Sequence, residues 1–265
     1  MQDIRDVIFK DILDKKFRAL ISTEKDGCLS GVEEAQKVAA EIGVSINFYY
    51  EEGDLIKAGD IICEIIGYPK QITIAEDKII GCLSKFSGIA TAAHKAVLIA
   101  DGKIRIVSGS LKKMPSVINR NIRKALESGG AYSRISTTPM VYMDKNYIKM
   151  LGSIPNALEA AKCFDDLAKV IQIKGDDVSI EQETTQALKN GCNILMVDTG
   201  NLDDLKKCIQ VTEELNKRKD VQIAFAGGIK LEQIPNLIEY GIDALCVGKD
   251  IVDALLLDMK LDVQI

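Results

Sequence analysis

The chain has 265 residues, of which 28% are charged and 47% are hydrophobic, and its formal net charge is −5. This length suits one large domain or two modest ones, and the hydrophobic content excludes a disordered chain. The acidic balance counts against a nucleic-acid scaffold, and without a long apolar run or a basic, apolar leader the sequence predicts a cytoplasmic protein with no transmembrane helix.

Cysteine and histidine usage narrows the possible chemistry. The seven cysteines are scattered without a CxxC pair, and His94 is the single histidine. Cysteines in this pattern are expected to be reduced thiols, and none has an activating base beside it in sequence. No His/Cys cluster has the spacing of a zinc site. A single histidine excludes a mechanism that needs two. His94 falls in the middle of a predicted helix, where a packing or interface role is expected.

The first hundred residues predict an α+β sandwich domain. Helices are expected over Ile4–Lys15, Val32–Ile42 and Ala75–Ala100. Strands are expected over Phe17–Ser22, Ser45–Tyr50 and Ile61–Ile66. Two Gly-Asp dipeptides, at residues 53–54 and 59–60, predict tight turns between the later strands.

From residue 104 onward, short apolar and β-branched runs alternate with helical patterns. The runs expected to be strands are Ile104–Val107, Met140–Met143, Val170–Ile173, Ile194–Val197, Val221–Ala226 and Ala244–Val247. The clearest helical stretches are Ala157–Lys169, Glu181–Asn190, Leu202–Lys217 and Leu231–Tyr240. Continuous apolar runs are typical of strands that are buried on both faces, as in parallel sheets.

The whole pattern predicts an α/β protein with two domains. The N-terminal α+β sandwich covers residues 1–100, and an open (β/α) barrel of about six parallel strands covers residues 101–265. The C-terminal tail is a candidate to pack back on the first domain. A doubly wound open sheet is the alternative for the second domain, although no GxGxxG motif follows a first strand.

Ligands of parallel α/β folds bind at the carboxyl ends of the strands, and glycines follow the last two predicted strands. Gly227 and Gly228 come after the fifth strand, and Gly248 and Lys249 come after the sixth. Glycine lets a ligand approach the backbone closely, and N–H groups at a helix start suit an anion, so these residues predict a phosphate site. Tight βα turns without a ligand are the alternative.

Charged residues follow the other strands. Asp198 ends the fourth strand, where a carboxylate suits Mg²⁺, and a helix N-cap is the alternative unless Asn201 or Asp203 takes that position. Arg134 lies in the loop before the second strand and is suited to clamp a carboxylate or phosphate. Four lysines are expected either to line an anionic pocket or to be solvated: Lys112, Lys113, Lys145 and Lys174.

Several segments, which together cover almost the whole chain, carry a family resemblance. They are FRALISTEKDGCLSGVEEAQKV, EEGDLIKAGDIICEIIG, LSKFSGIAT, ESGGAYSR, MVYMDKNYI, ALKNGCNILMVDTGN and AFAGGIKLEQIPNLIEYGIDALCVGKDI. In these segments the chain resembles the quinolinate phosphoribosyltransferase family, also called nicotinate-nucleotide pyrophosphorylase (carboxylating), with its ModD-like relatives. The resemblance implies an α/β sandwich followed by an open barrel. It also implies a homodimer that transfers 5-phosphoribosyl from PRPP, with Mg²⁺, to quinolinate in NAD biosynthesis.

The resemblance also assigns roles to residues. It implies catalytic roles for Lys112, Arg134 and Lys145, and Mg²⁺ binding by Asp198. Phosphate binding is implied for four residues: Gly227, Gly228, Gly248 and Lys249.

Other family positions differ in this chain. The pair Glu76-Asp77 replaces Glu-Arg before SGIAT, and Ser133 replaces a histidine. The lysine that ends the second strand in the family falls on Asp144, with Lys145 one place on, and the metal-binding glutamate of the third strand falls on Lys174 or Asp177. Because each charge-assisted hydrogen bond contributes about 1.5–3 kcal/mol, the loss of these cations predicts an altered acceptor pocket. The alternatives are a ModD-like transferase with a different acceptor, and an inactive paralogue that binds a phosphorylated ligand or a partner protein.

Overall fold

The computed structural model describes residues 3–265, which form two compact units. Unit 1 comprises the residues up to Lys95 together with Leu111–Ala131 and Ile251–Ile265, and unit 2 comprises Ala96–Ser110 and Tyr132–Asp250. Both units are therefore discontinuous in sequence, whereas the predicted domain boundary near residue 100 divides the chain only once. Within the described part of the chain, no helix is both long and apolar enough to cross a membrane.

Ten α-helices and twelve strands are described between residues 3 and 265. The helices are α1 (Ile4–Ile8), α2 (Val32–Ile42), α3 (Pro69–Ala100), α4 (Asn119–Ser128), α5 (Lys145–Leu151), α6 (Ile154–Ala160), α7 (Ile180–Lys189), α8 (Leu202–Glu214), α9 (Ile234–Ile238) and α10 (Lys249–Val252). The strands are β1 (Phe17–Thr23), β2 (Gly27–Cys28), β3 (Ser45–Phe48), β4 (Leu55–Ile56), β5 (Ile61–Gly67), β6 (Arg105–Val107), β7 (Met140–Met143), β8 (Ala168–Ile173), β9 (Ile194–Asp198), β10 (Gln222–Ala226), β11 (Ala244–Cys246) and β12 (Met259–Gln264).

Unit 1 is built on an antiparallel four-stranded sheet with the order β12-β1-β5-β3. Alternate residues of β1 are buried, among them Ala19 and Ile21, as expected for a strand with one face on a core. Helices α2 and α3 cover that face with residues such as Ala35 and Ile79. The last strand, β12, pairs with β1 along its whole length, so residues 259–264 complete the sheet.

Unit 2 contains a parallel six-stranded sheet with the order β6-β11-β10-β9-β8-β7. The predicted α/β class with six parallel strands is confirmed. Val107 of edge strand β6 and Tyr142 of edge strand β7 pack on the same inner cluster as Val170 and Ala224. A sheet whose two edges contribute to one inner cluster is curled, so the open barrel describes unit 2 better than the doubly wound sheet.

Several predicted helices differ from those observed. The helix predicted over Ile4–Lys15 ends at Ile8, because none of its residues is buried and a short helix without packing is unstable. The helix expected from Ala75 begins at Pro69, whose missing N–H suits the first helical position. In place of the helix predicted over Ala157–Lys169, α6 ends at Ala160 and β8 begins at Ala168. The Ala168 N–H donates to the carbonyl of Pro139.

Proline also divides the last predicted helix, Leu231–Tyr240. A 3₁₀ turn covers Leu231–Gln233, and α9 begins after it with Pro235 in its first turn. Proline has no N–H and its ring collides with the preceding turn, so a continuous helix through this position is unfavourable.

Candidate functional site

The carboxyl ends of the six strands bring the inner-face residues of unit 2 to one rim. Side chains alternate between the two faces of a strand, so Gln172 shares the inner face with Val170, and Asp198 shares it with Met196. Asp198 is the register partner of Ala226 on the neighbouring strand. The rim of the barrel therefore combines polar side chains on β8 and β9 with a small residue on β10.

Gln172 is buried and joins two parts of this rim. Its Oε1 accepts a hydrogen bond from the backbone N–H of Lys145 at 2.8 Å, and its Nε2 donates to Asp198 Oδ2 at 2.6 Å. A backbone N–H can only donate, so this contact fixes which end of the amide faces Lys145. The amide N–H group is therefore the end that faces Asp198.

Lys174 provides a second donor beside Asp198. Its Nζ donates to the main-chain oxygen of Asp198 at 2.5 Å. The backbone N–H groups of Lys174 and Gly175 donate to the carboxylate of Glu183 at 2.7 and 2.9 Å, which holds the loop after β8 in place. Burial raises the pKa of Glu183, and these two backbone hydrogen bonds oppose that increase.

Tyr142 and Cys246 complete the inner surface near Asp198. Burial raises the pKa of the Tyr142 phenol, and the charge of Asp198 adds to the increase. Burial also raises the pKa of Cys246 to about 12, again with a contribution from Asp198. Both groups are therefore neutral at physiological pH, and neither acts as an anionic nucleophile.

The predicted phosphate-binding glycines differ in their surroundings. Gly227 has φ +117°, and a Cβ there would overlap the backbone of Gly200. A Cβ on Gly248 would overlap the hydroxyl of Ser110. Gly228 has φ +77° and nothing within 4 Å of a Cβ position, and it is exposed. Gly227 is thus required by a positive φ and a close backbone contact, and Gly248 lies close to a serine side chain, whereas the backbone of Gly228 is open.

The two glycine loops are tied together. The backbone N–H of Leu231, which follows the Gly227–Gly228 loop, donates to Asp250 Oδ2 at 3.2 Å. Lys249, the residue before Asp250, is exposed at the start of α10. This contact holds the loops after β10 and β11 in a fixed spacing.

The other predicted site residues lie as follows. Arg134 is exposed in the segment that continues from Tyr132, which forms a parallel bridge with Val107 at the β6 edge. Lys145 is exposed on the first turn of α5, which Asp144 caps by accepting from Asn146 and Tyr147. Lys112 lies in the 3₁₀ turn Ser110–Lys113 and belongs to unit 1. The roles predicted for these three cations stay predictions.

The N-cap alternative for Asp198 is excluded by the helix that follows it. Asn201 caps α8 by accepting a hydrogen bond from the Asp203 N–H at 2.9 Å. The carboxylate of Asp198 is therefore left to the rim. His94 is half-buried within α3, as expected for a packing residue.

The residues around Asp198 do not fit a divalent cation. Among residues 3–265, no group of three His, Cys, Asp or Glu side chains that could hold a metal ion comes together. The Gln172 amide N–H donates to the Asp198 carboxylate, and the Lys174 ammonium group donates to the main-chain oxygen of Asp198, so both recorded neighbours are donors. Mg²⁺ requires oxygen ligands and is repelled by an ammonium group, so this donor set does not support the predicted Mg²⁺ at Asp198.

Two family models match the chain. The N-terminal domain of quinolinate phosphoribosyl transferase matches residues 6–87, and its C-terminal domain matches residues 89–262. The chain belongs to the quinolinate phosphoribosyltransferase family. The predicted resemblance is thereby confirmed.

Similar proteins agree with this assignment. The chain is 23% identical to a Methanothermobacter thermautotrophicus protein named "Probable nicotinate-nucleotide pyrophosphorylase (carboxylating)", over 98% of this chain and 95% of that protein. It is 24% identical to the human nicotinate-nucleotide pyrophosphorylase (carboxylating), over 92% of this chain and 81% of that one. The solved structure of the nicotinate-nucleotide pyrophosphorylase from Francisella tularensis matches with a TM-score of 0.80, at 20% identity, over 98% and 96% of the two chains.

Two features of the rim in this family member were not predicted from sequence, namely Gln172 itself and the contact between Lys174 and Asp198. The available signal was the polar residue in an otherwise apolar inner row, since Gln172 follows Val170 by two positions near the end of β8. Local sequence does not reveal that this side chain meets Asp198 on the next strand, because that contact depends on how β8 and β9 are aligned.

Proposed function

We propose that this quinolinate phosphoribosyltransferase family member transfers a 5-phosphoribosyl group from PRPP to the ring nitrogen of a pyridine carboxylate. The observation that carries the proposal is the rim of unit 2, where the open backbone at Gly228 and the carboxylate of Asp198 occupy the ends of neighbouring strands. The names of the similar proteins, nicotinate-nucleotide pyrophosphorylases, support the same chemistry.

The residues of the rim divide into a donor end and an acceptor end. The loops of Gly228 and Lys249 bind the 5-phosphate, and Asp198 with Lys174 faces the ribose and the leaving pyrophosphate. Fixed N–H donors and an ammonium group stabilise the charge that develops on that leaving group. Arg134 and Lys145 bind the carboxylate of the acceptor.

A less acidic acceptor than quinolinate is favoured by one specific observation. Asp144 stands where the family has a lysine at the end of this strand, and its carboxylate caps α5. A carboxylate in place of an ammonium group repels a dicarboxylate acceptor, since like charges at short range are unfavourable. We therefore expect a pyridine monocarboxylate or another heteroaromatic acid to be a better acceptor than quinolinate.

The test is pyrophosphate release by the purified protein with PRPP, Mg²⁺ and a panel of heteroaromatic acids that includes quinolinate. Release with any pyridine carboxylate supports the proposal, and a lower kcat/KM with quinolinate supports the altered acceptor pocket. If PRPP raises the melting temperature but no acid releases pyrophosphate, the chain is the inactive, ligand-binding paralogue. The Mg²⁺ expected with this donor stays a prediction. Repeating the release assay with a chelator in place of Mg²⁺ measures whether the reaction requires it.

Variants of the cations test the acceptor end. Arg134→Met and Lys145→Met are expected to raise the KM for the acceptor by about tenfold or more, since each removes a charge-assisted hydrogen bond. Lys149→Met is the matched control, because Lys149 is an exposed lysine on the same helix as Lys145. Equal effects of all three variants would contradict the assigned roles. The homodimer implied by the family stays a prediction that light scattering measures.

A further inference from the structure

We propose that Lys174 takes the place of a divalent cation beside Asp198, so that the diphosphate of the donor binds this rim without a metal. The inference rests on the proposed function, because it concerns the binding site of the phosphoribosyl donor. It starts from the two residues that contact Asp198, which are Gln172 and Lys174.

The Gln172 amide cannot serve as an oxygen ligand toward Asp198. Its oxygen is taken by the Lys145 N–H, and its N–H group occupies Asp198 Oδ2 at 2.6 Å. Rotating the amide by half a turn would bring two N–H groups together at Lys145, which is unfavourable for a buried side chain. The side of Asp198 that faces β8 therefore presents a hydrogen-bond donor and not a second oxygen ligand.

Lys174 supplies a positive charge at the same place. It is the first residue after β8, and its Nζ lies 2.5 Å from the main-chain oxygen of Asp198. The Glu183 carboxylate fixes the backbone of Lys174 and Gly175, so the ammonium group extends from an anchored loop. An ammonium group has three N–H donors, and the contact with Asp198 uses one of them. The others are available for phosphate oxygens.

Charge balance distinguishes this arrangement from a metal site. Two carboxylates at the rim would repel a diphosphate, and a divalent cation would be required between them. Here the Lys174 ammonium group contacts the main chain of the residue that carries the carboxylate, so the charges of Asp198 and Lys174 offset each other. A diphosphate that arrives meets N–H donors directly, and the donor binds with little dependence on Mg²⁺.

Calorimetric titrations of inorganic pyrophosphate and of PRPP, each with Mg²⁺ and with EDTA, test the inference. We expect the Kd values in the two conditions to agree within about threefold. Lys174→Met is expected to weaken binding in EDTA by about tenfold or more, since it removes a charge-assisted contact. Lys189→Met, which removes an exposed lysine from α7, is the matched control and is expected to bind like the wild type.

Gln172→Glu provides the converse test. Its carboxylate can still accept from the Lys145 N–H, and it adds a second carboxylate beside Asp198. We expect this variant to bind pyrophosphate about tenfold or more tightly with Mg²⁺ than with EDTA. We also expect it to bind Mn²⁺ alone, as detected by paramagnetic resonance, whereas the wild type does not. A melting curve with and without ligand checks that the variant is folded.

The outcomes separate this inference from the proposed function. The role of Lys174 is overturned if the wild type binds both ligands only in Mg²⁺, or if it binds Mn²⁺ without any ligand. Either result leaves the transferase proposal standing. Failure of PRPP to bind in either condition overturns both. Metal-independent binding that Lys174→Met abolishes and Lys189→Met retains supports the inference.

Discussion

Gly200 and Gly227 lie against each other at the ends of β9 and β10, where the Gly200 N–H donates to the carbonyl of Ala226 at 2.8 Å. A Cβ on either glycine would overlap the backbone of the other. The two loops that border the rim are thus joined backbone to backbone. The close contact demands glycine for a structural reason, and it leaves the neighbouring Gly228 facing open space.

This difference predicts unequal effects of alanine at the two positions. Gly227→Ala adds steric overlap to a positive φ and is expected to lower the free energy of unfolding by about 3 kcal/mol or more. Gly228→Ala adds only the strain of φ +77° and is expected to cost about 1–2 kcal/mol. Urea denaturation measures both. Similar losses of unfolding free energy in the two variants would contradict the close contact between Gly200 and Gly227.

Binding of ribose 5-phosphate separates strain from ligand contact at Gly228. We expect Gly228→Ala to weaken binding, because the new methyl group enters the open space that the phosphate uses. Gly59→Ala is the matched control, since Gly59 has φ +90° with nothing within 4 Å and lies in unit 1. Thermal shift with the ligand should be reduced in the first variant and unchanged in the control.

Glu33 predicts a dependence of stability on acid pH. Its carboxylate contacts Lys124 and Lys37 at 2.7 Å each and Arg120 at 3.1 Å, and the two lysines lower its pKa to about 2. A carboxyl group with a lowered pKa stabilises the fold above its ordinary pKa, and the contribution is lost as the pH falls from about 4.5 toward about 2. Glu33→Gln should therefore reduce the dependence of the melting temperature on pH between these two values. Glu41→Gln, an exposed change on the same helix, should follow the wild type.

Thiol reactivity should separate Cys163 from the other six cysteines. Cys163 is exposed, whereas Cys82 is half-buried and the remaining five are buried. Burial raises the pKa of Cys63, Cys192 and Cys246 to about 12, so little thiolate forms at pH 8. We expect one fast reaction with a disulfide reagent in the native protein, and Cys163→Ser should abolish it. Fast modification of a second cysteine would contradict the described burial.

Ser108 should be replaceable at a gain in stability. Its hydroxyl oxygen is buried without a hydrogen-bond partner among the described residues, although its backbone N–H bonds the Tyr132 carbonyl. Removing an unsatisfied buried hydroxyl is expected to raise the free energy of unfolding by about 1 kcal/mol. Ser108→Ala tests this by urea denaturation, with Ser116→Ala, an exposed serine, as the control. A loss of stability in Ser108→Ala would show that the hydroxyl has a partner.

The fold was more predictable than the site because it depends on local repetition. Apolar runs such as Ile194–Val197 and the end of α2 at Gly43, which has φ +81°, are visible in short stretches of sequence. The same short stretches predicted a helix over Ile4–Lys15, because they do not show that the residues of this segment stay unburied.

The rim was less predictable because its contacts join separate strands. The sequence indicated Asp198 and the glycine loops, yet it did not indicate that the Gln172 amide and the Lys174 ammonium both reach Asp198. Those contacts depend on strand register and on the orientation of an amide, and neither is encoded in the residues next to Gln172.

The pairing of β1 with β12 has a consequence for the order of events during synthesis. Residues 17–23 leave the ribosome long before residues 259–264, which occupy one edge of β1. Until the later segment arrives, that edge offers unpaired backbone groups to any other extended chain. Unit 1, although it begins the sequence, is therefore expected to finish folding last and to need protection from aggregation on nascent chains.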